Sequence, residues 1–256
     1  MKVFFVKRHN FFTVLLLILL VAGSITYTSL TNEGDITSVF SAKRELPIYS
    51  VKTDEKKVAI SFDAAWGSEY TDEILNILDK HNVKTTFFLV GFWVERYPEM
   101  VKKIDARGHE IGNHSSHHPH MSKLSEKQIT EELLNTEEKI KKIIGKETML
   151  FRPPFGDYND RLIKTCRDNG YYTIQWDVDS LDWKELGVQP VVDRVTRNVK
   201  KGSIILFHNN AKYVTEYLPL VLSRLQEQGY EIVPISELIY KNNYHMDSTG
   251  QQVRDN

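Results

Sequence analysis

Apolar residues along the chain fall into short runs separated by helical stripes. The run Val58-Ala59-Ile60-Ser61-Phe62 ends in Asp63 and predicts a buried strand. Behind it, Thr71 to His81 carries Ile74, Leu75, Ile77 and Leu78 on one face, the period of a helix. The alternation recurs: Thr85 to Val90 reads as a strand, Pro98 to Arg107 as a helix, and Glu110 to Asn113, after Gly108, as a strand. Leu124, Ser125, Gln128 and Ile129 have the chemistry of a hydrophobic staple and a capping box. They open a long helix whose stripe Ile129, Leu133, Thr136, Ile140 and Ile143 runs to Gly145. Further strands are predicted at Thr148 to Phe151, Tyr172 to Trp176, Ser203 to Phe207 and Glu231 to Val233. Helices are predicted at Asn159 to Asp168, Val191 to Lys200 and Val214 to Gln228. About seven β/α alternations predict an α/β fold with a parallel sheet, closed as a barrel, whose chemistry sits at the C-terminal ends of the strands.

The N-terminus breaks this pattern. Lys2, Lys7 and Arg8 precede a nearly continuous apolar run from Phe11 to Gly23, and no acid occurs before Glu33. Basic residues followed by such a run predict an export signal, oriented with its positive end inside. The stretch 11–28 approaches the roughly 17–25 residues needed to span a bilayer. Small residues at Val21-Ala22-Gly23-Ser24 also suit a signal peptidase, so an anchor and a cleaved signal both stay open. The expected organisation is a basic cytoplasmic segment 1–10, a signal-anchor or signal peptide 11–28, a linker 29–55, a folded domain 56–240 and a polar tail 241–256. The domain is then extracytoplasmic, with the membrane as a partner through the N-terminal segment.

Charge narrows the partners. Lys+Arg 33 against Asp+Glu 34 leaves a net charge of −1, so no broad positive field exists to hold nucleic acid. The single Cys166 excludes an intrachain disulfide framework and a thiolate zinc cluster, and reads as a buried apolar residue.

Polar residues at the ends of the predicted strands are Asp63, His114, Arg152, Asp179 with Asp182, and His208. A barrel brings them to one mouth. His109 to His120 holds five of the 9 histidines, and His114 and His118 stand at i and i+4, where one helical turn puts both on one face. Such a pair suits a divalent metal, and a His-rich surface turn is the plainer alternative. Pro153 and Pro154 fix the backbone behind Arg152, which can then orient a carboxylate bidentately. Trp183 beside Asp182 offers a face for a sugar ring, although both loops are also compatible with simple turn chemistry. Taken alone, a histidine at the position of His208 is more often a satisfied core residue.

Together these segments resemble the polysaccharide deacetylase family with the NodB homology domain, carbohydrate esterase family 4. Ser61-Phe62-Asp63-Ala64 is similar to its Thr-Phe-Asp-Asp-Gly motif and His114-Ser115-Ser116-His117-His118 to its His-Ser/Thr-x-x-His motif. Arg152-Pro153-Pro154-Phe155-Gly156, Asp179-Ser180-Leu181-Asp182-Trp183 and Ile205-Leu206-Phe207-His208 resemble the remaining three, in family order. The resemblance covers about Lys56 to Leu238 and implies a distorted (β/α)7 barrel similar to a TIM barrel. The N-terminal segment and Ala64-Ala65-Trp66-Gly67 further resemble the sporulation-associated PdaB-like branch of Bacillus.

The resemblance implies de-N-acetylation of N-acetylglucosamine or N-acetylmuramic acid units in a cell-wall glycan, peptidoglycan above all. It implies Asp63 as general base, His208 as the acid for the leaving amine, Arg152 orienting Asp63 and Asp182 tuning His208. His114 and His118 are implied as ligands of a divalent metal, zinc first, with cobalt and nickel as alternatives. Trp183, Leu206, Phe155, Tyr158 and Trp66 are the substrate-binding candidates. One position departs from the pattern. Ala64 stands where the family has a second aspartate, a metal ligand, and a methyl group cannot coordinate. The site is therefore expected to hold its metal weakly or not at all, and a catalytically silent glycan-binding barrel is the alternative function.

Overall fold

The computed structural model describes Leu16, residues 18–21 and residues 44–255, in two units, Met1–Arg44 and Glu45–Asn256. In the first unit Leu16 and residues 18–21 are helical and Arg44 is not. The remainder of the expected segments 1–10 and 11–28, and the linker up to residue 43, lie outside the described residues. Among the described residues no helix is long and apolar enough to cross a membrane.

The second unit is organised around β2 (Lys57–Ala64), buried at every position after Lys57. A strand covered on both faces reads as a continuous apolar run, which is why the sequence shows it so clearly. β2 pairs in parallel with β3 (Thr86–Leu89) and β8 (Ile204–His208). From β3 the sheet continues through β4 (Glu110–Asn113), β5 (Leu150–Phe151) and β6 (Tyr172–Thr173), and from β8 to β7 (Val178–Asp179). β9 (Glu231–Ile232) pairs with the start of β2 at Lys57 and Val58. All these pairings are parallel, and the circuit stays open between β6 and β7, giving a distorted (β/α)7 barrel.

Period two along β2 sorts its side chains. Val58, Ile60 and Phe62 join the apolar cluster shared with the outer helices, whereas Ala59 joins Ile48, Phe88, Ile174 and Ile204 in a second cluster. Ser61 and Asp63 share the face of Ala59, and the Ser61 hydroxyl donates to the Ile205 carbonyl at 2.9 Å. The outer layer comprises α1 (Thr71–Lys80), α2 (Gly91–Arg96), α3 (Pro98–Ala106), α4 (Glu126–Ile144), α5 (Asp160–Asp168), α6 (Val188–Asn198) and α7 (Val214–Glu227), with the short α8 (Ile235–Leu238) after β9. α4 begins with the expected capping box of Ser125 and Gln128 and ends at Gly145, whose φ of 72° is left-handed.

Register aligns the strand ends. Asp63 pairs with His208 on one side and Phe88 on the other, and the next row runs Ala64, Leu89, Asn113, Phe151. His114 and Arg152 are the residues immediately after that row, so they emerge at the same rim. Gly112 is required beneath them: a Cβ there would lie 2.6 Å from the Phe88 ring.

Two expectations need correction at the chain ends. The linker to residue 55 is not free of structure, because Ile48 and Val51 are buried and β1 (Ser50–Val51) forms a strand. The tail 241–256 contains a hairpin, β10 (Tyr244–Met246) and β11 (Gln251–Arg254), and β11 pairs in parallel with β1. Its turn is built on Asp247, whose carboxylate accepts from the backbone N–H groups of Thr249 at 2.8 Å and Gln251 at 3.0 Å. Buried Gln252 is satisfied by the Tyr240 backbone, at 2.8 Å to its N–H and 2.9 Å to its carbonyl. Strands held by such polar pairing lack the apolar alternation that marks a strand in sequence.

Candidate active site

Asp63 lies at the end of β2 with a nearly buried side chain, and the fully buried Arg152 donates from Nη1 to its Oδ1 at 2.7 Å. The guanidinium is held in place by more than that bond. Its carbon lies 4.2 Å from the centroid of the Phe88 ring and 5.5 Å from that of Trp176, and Nη2 donates to the Gln175 carbonyl at 3.2 Å. The expected bidentate clamp on Asp63 is not formed, because Nη2 is committed to Gln175. Oδ2 is thereby left to face the mouth, 3.5 Å from His114 Nε2. Burial pushes the Asp63 carboxyl up, but Arg152, His114 and His208 together outweigh it and hold it below the usual carboxylate range.

His114 Nδ1 lies 2.7 Å from the Arg152 carbonyl. A carbonyl only accepts, so Nδ1 carries a proton, and burial lowers the ring's pKa, which favours the neutral form with Nε2 bare. His114 and His118 meet edge to face with ring centroids 5.0 Å apart, but they do not share a helix. Residues 114–120 form a loop with left-handed φ at Ser115 (67°) and His118 (56°). The helical turn expected from their spacing is replaced by local hydrogen bonds. Asn113 Oδ1 accepts from Ser115 N at 2.9 Å, and Ser115 Oγ accepts from His118 N at 3.0 Å. Glu132 of α4 clamps the loop, accepting from the Ser116 and His117 N–H groups at 2.8 and 2.9 Å. The His118 ring lies between Trp66 and Phe155, with centroids 5.0 and 4.5 Å away. Burial, with His114 adding to it, lowers its pKa to about 4, so the imidazole is neutral near pH 7.

On the far side of Asp63, His208 Nδ1 donates to Asp182 Oδ1 at 2.7 Å. Asp182 Oδ2 accepts from the His208 N–H at 2.8 Å and from the Tyr217 hydroxyl at 2.7 Å. Burial disfavours the charged ring, but the hydrogen bond to Asp182 and its charge outweigh burial and raise the His208 pKa. With Nδ1 committed, Nε2 is the nitrogen that can exchange a proton with a bound molecule.

These groups surround one pocket of about 520 Å³, lined by Asp63, His114, His118 and His208 on its polar side and by Trp66, Phe155, Trp176, Trp183 and Leu206 on its apolar side. Tyr158 is the expected residue that the structure leaves out: it packs against the apolar cluster that contains Met121, Leu133 and Phe151, and it meets Tyr49 edge to face. Several contributors escaped the sequence reading. Trp176, Tyr217 and Glu132 occupy ordinary positions in apolar or charged stretches, and Lys212 reaches the rim from the loop before α7.

The donor chemistry can be tested against the divalent ion that the resemblance implies. A bare imidazole nitrogen facing a carboxylate oxygen, beside a second neutral imidazole, is a set that a divalent cation satisfies. His114 and His118 therefore fit a loosely held ion. They lack what a tight site needs: catalytic zinc usually has three protein ligands, and Ala64 is fully buried in an apolar cluster with Val90 and Trp93. Among the described residues no group of three or more His, Cys, Asp or Glu side chains is arranged to hold a metal.

Comparison with known proteins agrees with this architecture. Residues 50–174 match the polysaccharide deacetylase family model. A peptidoglycan-N-acetylglucosamine deacetylase of Bacillus cereus is 38% identical over 200 residues, covering 76% of this chain and 93% of the relative. The YlxY protein of Bacillus subtilis is 38% identical over 193 residues, 75% of this chain but only 60% of its own length. Among solved structures, a CE4 family pseudoenzyme from Bacillus anthracis superposes with a TM-score of 0.73 at 36% identity, covering 81% of this chain and 70% of its own. A mutant of that pseudoenzyme has restored enzymatic activity. With this identity, coverage and shared fold, the chain belongs to the polysaccharide deacetylase family.

Proposed function

We propose that the protein hydrolyses the acetamide of N-acetylglucosamine or N-acetylmuramic acid residues in a cell-wall glycan of the peptidoglycan type. One observation carries this reading: Asp63 and His208 stand side by side on register-paired strands facing one pocket, with the Asp63 carboxyl pushed down and the His208 imidazole pushed up, the shifts that suit a base and an acid. Asp63 Oδ2, unclaimed by Arg152, takes the proton of the attacking water, and His208 Nε2 delivers a proton to the departing amine. Arg152 keeps Asp63 ionised and aimed, and Asp182, held by Tyr217, favours the charged form of His208. Trp183, Leu206 and Trp176 exclude water around the acetyl group. The family's deacetylases are metal-dependent, and His114 and His118 would hold the ion, which would supply Lewis acidity to the site. Zinc is our proposal for that ion, on the preference of imidazole donors.

The test is acetate release from N-acetylglucosamine oligomers and from peptidoglycan by protein stripped of metal and titrated with zinc, cobalt or nickel. Metal-dependent release that disappears in Asp63→Asn while glycan binding persists supports the reading. Release that survives Asp63→Asn removes Asp63 as the base. A second reading, glycan binding without turnover, is favoured by one observation, the buried methyl of Ala64 at the missing ligand position. It predicts cell-wall adhesion with no acetate at any metal concentration. We also propose that the basic and apolar N-terminal segment delivers the unit to the outer side of the membrane, in the manner of the PdaB-like branch.

A further inference from the structure

Gln175 lies just past β6, beside the gap in the barrel, and does not line the pocket. It is 2% exposed. A primary amide is placed in an interior only against partners, and those of Gln175 come from three separate parts of the chain.

Its backbone is held from two directions. Among the described residues no strand of the barrel sheet follows β6 at this edge, and Ile48 takes that place beside Ile174. The Ile48 N–H donates to the Thr173 carbonyl at 2.8 Å, and its carbonyl accepts from Gln175 N at 2.7 Å. Arg152 Nη2 donates to the Gln175 carbonyl at 3.2 Å. Among the described residues Arg152 Nε has no hydrogen-bond partner, so this bond and the one from Nη1 to Asp63 fix the guanidinium.

The side chain reaches a third element, with Nε2 donating to the Gly156 carbonyl at 2.9 Å. That carbonyl closes a 3-10 turn in which Phe155 has a left-handed φ of 60° and Gly156 one of 67°. Glycine adopts this conformation freely, whereas for phenylalanine it is strained and persists only where the surroundings enforce it. Gln175 also fills the space under the turn: a Cβ on Gly156 would lie 3.3 Å from its Oε1. What the turn carries is the Phe155 ring, edge-on to His118 and stacked on His120, with centroids 4.5 Å from each.

We infer that the Gln175 amide is a positioning group: anchored on the backbone that aims Arg152, it fixes the Phe155 turn and, through it, the His118 ring. The consequence for turnover rests on the deacetylase reading of the pocket, and the consequence for the His118 ring does not. Hydrolysis requires Asp63 and the His118 wall in register, and a misplacement of about 1 Å can cost about a hundredfold in rate.

The experiment removes the amide and keeps the backbone carbonyl. Gln175→Met conserves volume without a donor, and Gln175→Asn keeps an amide one methylene short of Gly156. NMR of the full, metal-stripped, histidine-labelled chain in detergent follows the His118 ring resonances, which the Phe155 ring displaces in the parent. Metal-loaded protein gives kcat and KM for acetate release from N-acetylglucosamine tetramer. Both variants are expected to move the His118 resonances toward ordinary histidine values. They are also expected to lower kcat at least about tenfold, about 1.4 kcal/mol of barrier, with KM unchanged within about twofold. One folded variant suffices for the test. His118 resonances and kcat both equal to the parent's overturn the positioning role, and so does a raised KM at parental kcat. Absence of acetate from the parent at every metal concentration overturns the hydrolytic reading instead. The His118 resonances then decide Gln175 alone: moved, the role stands; unmoved, it falls.

Discussion

Ala64→Asp tests the account of the metal site by placing a carboxylate where none is now solvated. Ala64 is completely buried beside Val90 and Trp93, and its neighbour Asp63 already holds the cation of Arg152. A new carboxylate there has no partner without metal, and breaking charge balance in an interior costs about 3–5 kcal/mol. For a unit of this length each kcal/mol moves Tm by about 2–4 °C. Metal-stripped Ala64→Asp is therefore expected to melt about 6–20 °C below the parent. Metal reverses the loss if the carboxylate joins His114 and His118, because a ligand at a thousand times its Kd returns about 4.1 kcal/mol. The assay is a melting curve at increasing zinc, with Kd from competition against a chelator. The expected result is a steep zinc dependence in the variant and a shallow one in the parent. If zinc raises the Tm of Ala64→Asp no more than that of the parent, position 64 does not face the imidazoles, and Ala64 is not the missing ligand.

Arg152→Met leaves Asp63 buried without its cation and is expected to cost about 3–5 kcal/mol in chemical denaturation at pH 7. Because the Asp63 carboxyl is lowered in the fold, the stability it contributes is present above its ordinary 3.8 and lost as pH falls through the lower folded value. That acid limb should vanish in Arg152→Met, and its persistence would assign it to another group. For His208 the sign is opposite: its raised value contributes stability that is complete below the ordinary 6.5 and fades as pH rises through the folded value. Asp182→Asn removes the partner, so the His208 ring resonance followed by NMR should titrate at lower pH than in the parent; an unmoved midpoint contradicts the assignment. Tyr217→Phe deletes one hydrogen bond to the Asp182 carboxylate and should destabilise by about 1.5–3 kcal/mol, with no loss of helix by circular dichroism.

Much of this site is legible in sequence because it stands at strand ends. A buried strand announces itself as an apolar run, and a polar residue at its end, as Asp63 is one residue before β2 ends, is a candidate for the mouth. His208 and Arg152 are read in the same way. Partners supplied by helices are invisible to that logic. Tyr217 sits in the apolar stripe of α7 and Glu132 among the acids of α4, where nothing local separates them from core and surface residues. Spacing misled once: i and i+4 suggests a helical turn for His114 and His118, but Asn113 and Ser115 offer the backbone competing side-chain partners and the segment folds as a loop. The two-residue β7 and the hairpin of β10 and β11 are too short or too polar to register as strands.

The pairing of β1 with β11 joins the two ends of the folded unit. Ser50 lies opposite Gln251 and Val51 opposite Gln252, some 200 positions later in the chain. β2 makes a similar long-range match with β9, so the sheet cannot be completed until nearly all of the chain is available. Folding is then expected to be slow and to end with closure of this small sheet. Because this pairing is parallel, the start of β1 lies beside the start of β11 and not its end, so a circular permutant needs a connector that runs back along the strand from beyond Arg254, with the new break in an exposed loop far from the mouth.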